Sequence, residues 1–184
     1  MKQNCQAACR FSLSPMCDDF VPVILGALDR VDTQAVAHRT DKLSTIYEGA
    51  LDSVEDGVEA CFVQAYRPET HMTMEAVFWI EGREGSVSGE RPNRLSTEQI
   101  HFPAVGKLTI YPLAGEAVEA WAGRVETCAR SANVYRESAF DGTILEGDIQ
   151  DIFTCLHKLG EACLSVSGRW AVALTLSVNS PTED

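Results

Sequence analysis

Thr40-Asp41-Lys42-Leu43-Ser44-Thr45-Ile46-Tyr47-Glu48-Gly49 returns later in the chain as Phe140-Asp141-Gly142-Thr143-Ile144-Leu145-Glu146-Gly147. With Thr45 set on Thr143, 98 residues away, the core T-I-[YL]-E-G aligns without a gap. Each copy reads as a turn followed by a short strand: Asp or Asp-Gly bends the chain, and a β-branched pair opens the strand. One motif used twice at domain-sized spacing predicts a duplicated domain, with any function residing in a pair of equivalent sites.

The flanking residues extend the duplication. Residues 1–9 have no clear pattern and read as a loose arm. Arg10-Phe11-Ser12-Leu13-Ser14 alternates strictly and ends at Pro15, as a half-buried strand does. Asp18 and Asp19 precede Phe20, with Pro22 close behind, which is a helix start; Ile24, Ala27, Leu28 and Val31 continue its apolar stripe. Residues 35–41 and 43–49 read as two strands joined by a tight turn. Ser53 is a candidate cap for a second helix that buries Val54, Val58, Cys61 and Phe62, and residues 71–80 alternate as a fourth strand. The polar, Gly-rich run that follows reads as a linker with room for a short turn of structure. Gly106–Leu113 repeats the opening strand, with Pro112 standing 97 residues after Pro15, and helix, two strands, helix and a last strand (169–178) follow.

Strand, helix, strand, strand, helix, strand is the split βαβ order, so the expected fold is α+β. It comprises two tandem ferredoxin-like (βαββαβ) repeats, over 8–81 and 104–181, joined by a linker over 82–103. Each repeat forms an antiparallel sheet with helices on one face.

Composition narrows the function classes. In 184 residues the formal net charge is −12, which disfavours nucleic acid, whose backbone needs a basic footprint. No apolar run reaches the length of a membrane span and the N-terminus lacks a signal-peptide core, so a cytoplasmic protein is expected. The seven cysteines form no C-x-x-C pair and read as reduced thiols, with Cys17 a small apolar filler. His71 and His101 stand singly, and His38 and His157 have no ligand-spaced partner, so no metal is expected. Asp18/Asp19 and Glu55/Asp56 read as helix-start charges that meet the helix dipole. P-loop, nucleophile-elbow and dinucleotide fingerprints are missing, and no enzyme is expected.

Arg10-Phe11-Ser12-Leu13-x-Pro15-Met16-x-Asp18-Asp19-Phe20, Thr40-Asp41-x-x-Ser44-Thr45 and Leu176-Ser177-x-Asn179-Ser180-Pro181 resemble the YkoF family of thiamin- and hydroxymethylpyrimidine-binding proteins. The resemblance runs from about residue 10 to 181 and is tighter in the first repeat. It implies one ligand site per repeat, a homodimer, no catalysis, no cofactor beyond the ligand, and an association with membrane components of a proposed pyrimidine/thiamin uptake system. An amino-acid-sensing regulatory protein of the ACT type is the alternative on the same fold, although no Gly-rich loop precedes Asp18 or Glu116.

Period-two alternation then nominates the ligand face. If the apolar strand residues meet the helices, Arg10, Ser12, Ser14, Thr73, Glu75 and Trp79 share the opposite face. With Ile46 taken as the core residue of its strand, Thr45 and Tyr47 join them. The second repeat offers Lys107, Thr109, Tyr111, Thr143, Thr175 and Ser177. The shared motifs add Asp41, Ser44, Asp141 and Asn179, and Glu48 and Glu146 are further carboxylates suited to a thiazolium. Hydroxyls with a few aromatics suit an aminopyrimidine, whose ring can be stacked and whose nitrogens can be hydrogen-bonded.

Overall fold

A computed structural model describes residues 6–82, 89–113 and 118–182. Among the described residues, eight strands and five helices follow one another as β1 (Ala7–Pro15), α1 (Phe20–Leu28), β2 (Ala37–Thr40), β3 (Thr45–Gly49), α2 (Leu51–Ala65), β4 (Met72–Gly82), α3 (Arg94–Thr97), β5 (Pro103–Pro112), α4 (Val118–Ser131), β6 (Tyr135–Ala139), β7 (Gly142–Asp148), α5 (Ile149–Leu164) and β8 (Gly168–Val178). The expected α+β order is present twice.

The two four-stranded sheets are one. The order is β2-β3-β1-β4-β8-β5-β7-β6, antiparallel throughout, and the halves join along β4 and β8. That ladder runs from Met72↔Val178 to Gly82↔Gly168, with Ala76 opposite Leu174. These two residues are also equivalent by position, since Ala76 pairs with Phe11 in β1 and Leu174 with Leu108 in β5.

Alternation decides which face is covered. Cys9, Phe11, Met74, Ala76, Phe78, Leu108, Ile110, Val172, Leu174 and Leu176 are buried against the helices, while Arg10, Glu75, Trp79, Thr175 and Tyr111 stand exposed on the other face. Ala7–Cys9, expected to be a loose arm, are paired with both β3 and β4.

Helix α2 departs most from its sequence reading. Its N-cap is Ala50, with no side-chain cap; Ser53 lies inside the helix and its hydroxyl donates to the Glu90 carbonyl at 2.8 Å. Glu55 and Asp56 are not surface charges near a helix start: Glu55 is buried against α5, where it meets His157 at 2.8 Å, and the segment 89–102 packs over Asp56. Gly89 N–H donates to Asp52 Oδ2, and Asn93 gives both its backbone and side-chain N–H groups to Asp56 Oδ2 (3.0 and 2.8 Å). Arg91 reaches Glu59, and Phe102 stacks on Tyr66 at 3.8 Å between ring centroids. Asp19, at the α1 N-cap, likewise makes no cap bond; its carboxylate takes Arg67 at 2.7 Å.

Candidate functional site

Strand β3 runs alongside β1 only as far as the pair Phe11↔Thr45; β1 continues to Pro15. In the second repeat β7 leaves β5 at Leu108↔Thr143, and β5 continues to Pro112. A notch opens at the same place in each repeat, between the outgoing end of the central strand, the hairpin turn, and the first helix.

In the first repeat the notch holds a cavity of about 190 Å³ on the helix side. Phe11, Ser12 and Leu13 of β1 wall it, with Leu25 and Leu28 of α1 and the turn Thr40–Thr45. The turn is held by Asp41: Oδ1 accepts the backbone N–H of Leu43 (2.8 Å) and of Ser44 (3.0 Å), and these donors hold the carboxyl below its ordinary pKa. The Thr40 and Thr45 hydroxyls lie 3.0 Å apart. On the uncovered face the same notch opens into a groove of about 270 Å³, shared by Arg10, Ser12, Ser44 and Glu75.

The second notch is larger, about 320 Å³, and is built from the equivalent parts: Leu108–Tyr111 of β5, Ala122, Val125 and Glu126 of α4, and the turn Ser138–Thr143. Its turn is braced differently. Asp141 pairs with Lys107 at 2.7 Å, which lowers the carboxyl pKa and raises that of the amine, and the Thr109 hydroxyl donates to the Asp141 carbonyl at 2.6 Å. Gly142 is required there, since a Cβ would strike the Thr109 hydroxyl and approach the Leu108 carbonyl to 2.7 Å.

The phase assigned to β3 and β7 from sequence is reversed. Thr45 and Tyr47 face the helices and are buried, as are Thr143 and Leu145, whereas Ile46 and Ile144 lie on the other face and are only partly covered. Tyr47 is a core residue whose hydroxyl lies 3.2 Å from Cys61 Sγ, and it lines neither notch. Thr45 and Thr143 reach the notches from the helix side.

The remaining candidates divide. Arg10, Ser12, Asp41, Ser44 and Glu75 gather at the first notch, and Thr109, Tyr111 and Asp141 at the second, with Lys107 fixed to Asp141. Ser14, Thr73, Trp79 and Thr175 lie on the uncovered face away from either cavity. Ser177 meets His71 Nε2 at 3.2 Å. Glu48 sits in a separate shallow groove with His38 and Arg39, and Glu146 is paired with Arg136. Asn179, with φ 50°, donates to the carbonyls of Arg67 and Thr70 and ties down the chain after α2. The helix-side walls, Leu25 and Leu28 with Ala122 and Val125, were not legible as site residues because strand alternation points to the uncovered face. Their equivalence at a 97-residue offset is the signal that could have found them.

The described cysteines, Cys9, Cys17, Cys61, Cys128, Cys155 and Cys163, are free, and burial raises the pKa of each. Among the described residues no helix is long and apolar enough to cross a membrane.

The model of the YKOF-related family matches residues 6–82 and 104–183. A Bacillus subtilis (strain 168) protein, named "Putative HMP/thiamine-binding protein YkoF", is 28% identical over 184 residues, covering 96% of this chain and 92% of its own. A solved structure, the hypothetical protein MJ1052 from Methanocaldococcus jannascii, covers 44% of this chain and 84% of its own at 22% identity, with a TM-score of 0.40.

Proposed function

Since the chain belongs to the YKOF-related family, we propose that it is a non-catalytic binding protein for thiamin or its hydroxymethylpyrimidine moiety, taking one molecule at each notch. The observation that carries this reading is the repetition of the cavity. Two cavities built from equivalent strand, helix and turn, each with a buried threonine at its edge, are what a duplicated binding protein requires.

The chemistry fits a small polar ring. Volumes of about 190 and 320 Å³ lie at or below the low end of small-molecule pockets, about 300 Å³. The walls are apolar and the rims carry hydroxyls: Ser12, Ser44 and Thr45 in one, Thr109, Ser138 and Thr143 in the other. Aliphatic and aromatic walls sandwich a pyrimidine, while hydroxyls meet its ring nitrogens and exocyclic amine. A carboxylate, Asp41, stands at the first cavity and favours a cationic thiazolium there, whereas in the second Asp141 is paired with Lys107 and Glu126 with Arg130. The uncovered sheet face, with Trp79, Val105 and Tyr111 exposed, supports packing of two copies into a homodimer; a monomeric mass in sedimentation would count against it.

Calorimetric titration with thiamin, thiamin phosphate and hydroxymethylpyrimidine tests the reading. We expect two molecules per chain, recovered chemically unchanged. Thr45→Val is expected to weaken one class of site by up to about tenfold and Thr143→Val the other, the worth of one hydrogen bond to a hydroxyl. No heat with any of the three, chemical change in a recovered ligand, or wild-type affinities in both variants overturns it.

A further inference from the structure

Away from both notches, helix α2 of the first repeat meets helix α5 of the second. We propose that Asp52, Glu55 and His157 at this contact form a binding site for a divalent transition ion of the zinc type, which clips the two repeats together. One ligand atom from each residue lies within 4.8 Å of the others. Glu55 Oε2 is 2.8 Å from His157 Nδ1, and Asp52 Oδ1 is 3.9 Å from the same nitrogen. One imidazole nitrogen and two carboxylates are a donor set that zinc accepts, with a fourth position left for water.

A second observation separates the cluster from an ordinary acidic patch. Glu55 is 3% exposed, and its Oε1 is buried with no hydrogen-bond partner. An orphaned carboxylate oxygen at that depth costs free energy that a bound cation returns. Room for the carboxylate itself is built in. A Cβ on residue 160 of α5 would lie 2.6 Å from Glu55 Oε1, so glycine, one turn after His157, lets the carboxylate seat against the helix.

The surroundings suit ligation. Gly89 N–H holds Asp52 Oδ2 at 3.0 Å, which orients Oδ1 toward the imidazole, and Glu161 Oε1 lies 3.8 Å from His157 Nε2, where it favours the tautomer with Nδ1 unprotonated. Of the described charges facing the cluster, Arg91 opposes a cation, but its guanidinium is taken up by Glu59 at 3.2 Å and by Asp56 at 3.9 Å. Asp52, Glu55 and Glu161 are the described carboxylates that face it. His157 and Asp52 are partly exposed, at 26% and 16%, which gives an ion a way in. On binding, the proton shared by His157 Nδ1 and Glu55 Oε2 passes to solvent and the metal takes its place.

Full-length protein, stripped with a chelator, is titrated with Zn2+ against a chromophoric competitor and with Co2+ by visible absorption. We expect one ion per chain, no thiolate charge-transfer band, and a melting temperature that rises with Zn2+. His157→Gln and Asp52→Asn should each lower affinity beyond about 100-fold and Glu161→Gln about tenfold, the first two abolishing the thermal shift. Circular dichroism checks that each variant folds, and the exposed Glu161→Gln decides the matter if the others do not. Failure to compete for Zn2+, a thiolate band, or affinity unchanged in these variants overturns the proposal.

Discussion

The Tyr47 ring meets Phe11 edge-on at 5.2 Å, and its hydroxyl is satisfied only by a sulfur, at Cys61. A thiol is a weak partner, so Tyr47→Phe should cost under about 1 kcal/mol in urea denaturation. Tyr47→Ala should cost about 3–5 kcal/mol, as cavities of that size do. Neither change touches a notch, so the phenylalanine variant should bind ligand as wild type does. Glu59 supplies a prediction of opposite sign. Burial pushes its pKa up from 4.5 to about 7 despite Arg91 nearby. The folded state therefore holds this proton more tightly than the unfolded chain. The stability it contributes is complete below about pH 4.5 and lost as pH rises through about 7. Glu59→Gln should flatten that part of the pH profile and raise stability at pH 8, measured as denaturation midpoints between pH 4.5 and 8. Residues with one apolar face, such as those of β1 and β4, announced their orientation in the sequence. Thr45-Ile46-Tyr47 did not, because both faces of that strand carry apolar groups and only the packing of Tyr47 against α2 decides between them.

At the scale of elements, the two hairpin turns do one job with different parts. Asp41 braces the first through two backbone N–H groups, while the second relies on Lys107–Asp141 and on the absence of a side chain at Gly142. Gly142→Ala should therefore weaken binding at the second notch, leave the first unchanged, and lower the melting temperature by a few degrees, about 2–4 °C per kcal/mol in a chain of this size. Asp41→Ala should do the converse. The turns themselves were legible from Asp and Asp-Gly ahead of a β-branched pair. The segment 89–102 was not. Its polar composition matches a linker, and its partners Asp52, Ser53, Asp56 and Glu59 stand 32 to 37 residues earlier on what reads as a solvated helix face. No local pattern reports that kind of contact.

For the whole molecule, the β4–β8 ladder and the α2–α5 contact predict that the repeats hold together without a covalent link. Residues 1–88 and 89–184, produced as separate polypeptides in one cell, should elute as a single complex in size-exclusion chromatography. Separation into two species would show that the ladder is too weak to serve as an interface. The duplication was legible from the motif offset, but the merging of the sheets was not, because alternation in β4 and β8 is the same for a central strand as for an edge. Ala76 opposite Leu174 carries a further meaning. When positionally equivalent residues face each other at the middle of an antiparallel ladder, the halves are related by a twofold axis through that point, and the edge is complementary to itself. A progenitor of half this length could thus close the same sheet as a symmetric pair of identical chains. Joining the two copies then freed each pocket to mutate alone, and the contrast of Leu25 with Ala122, and of Leu28 with Val125, is the trace of that freedom.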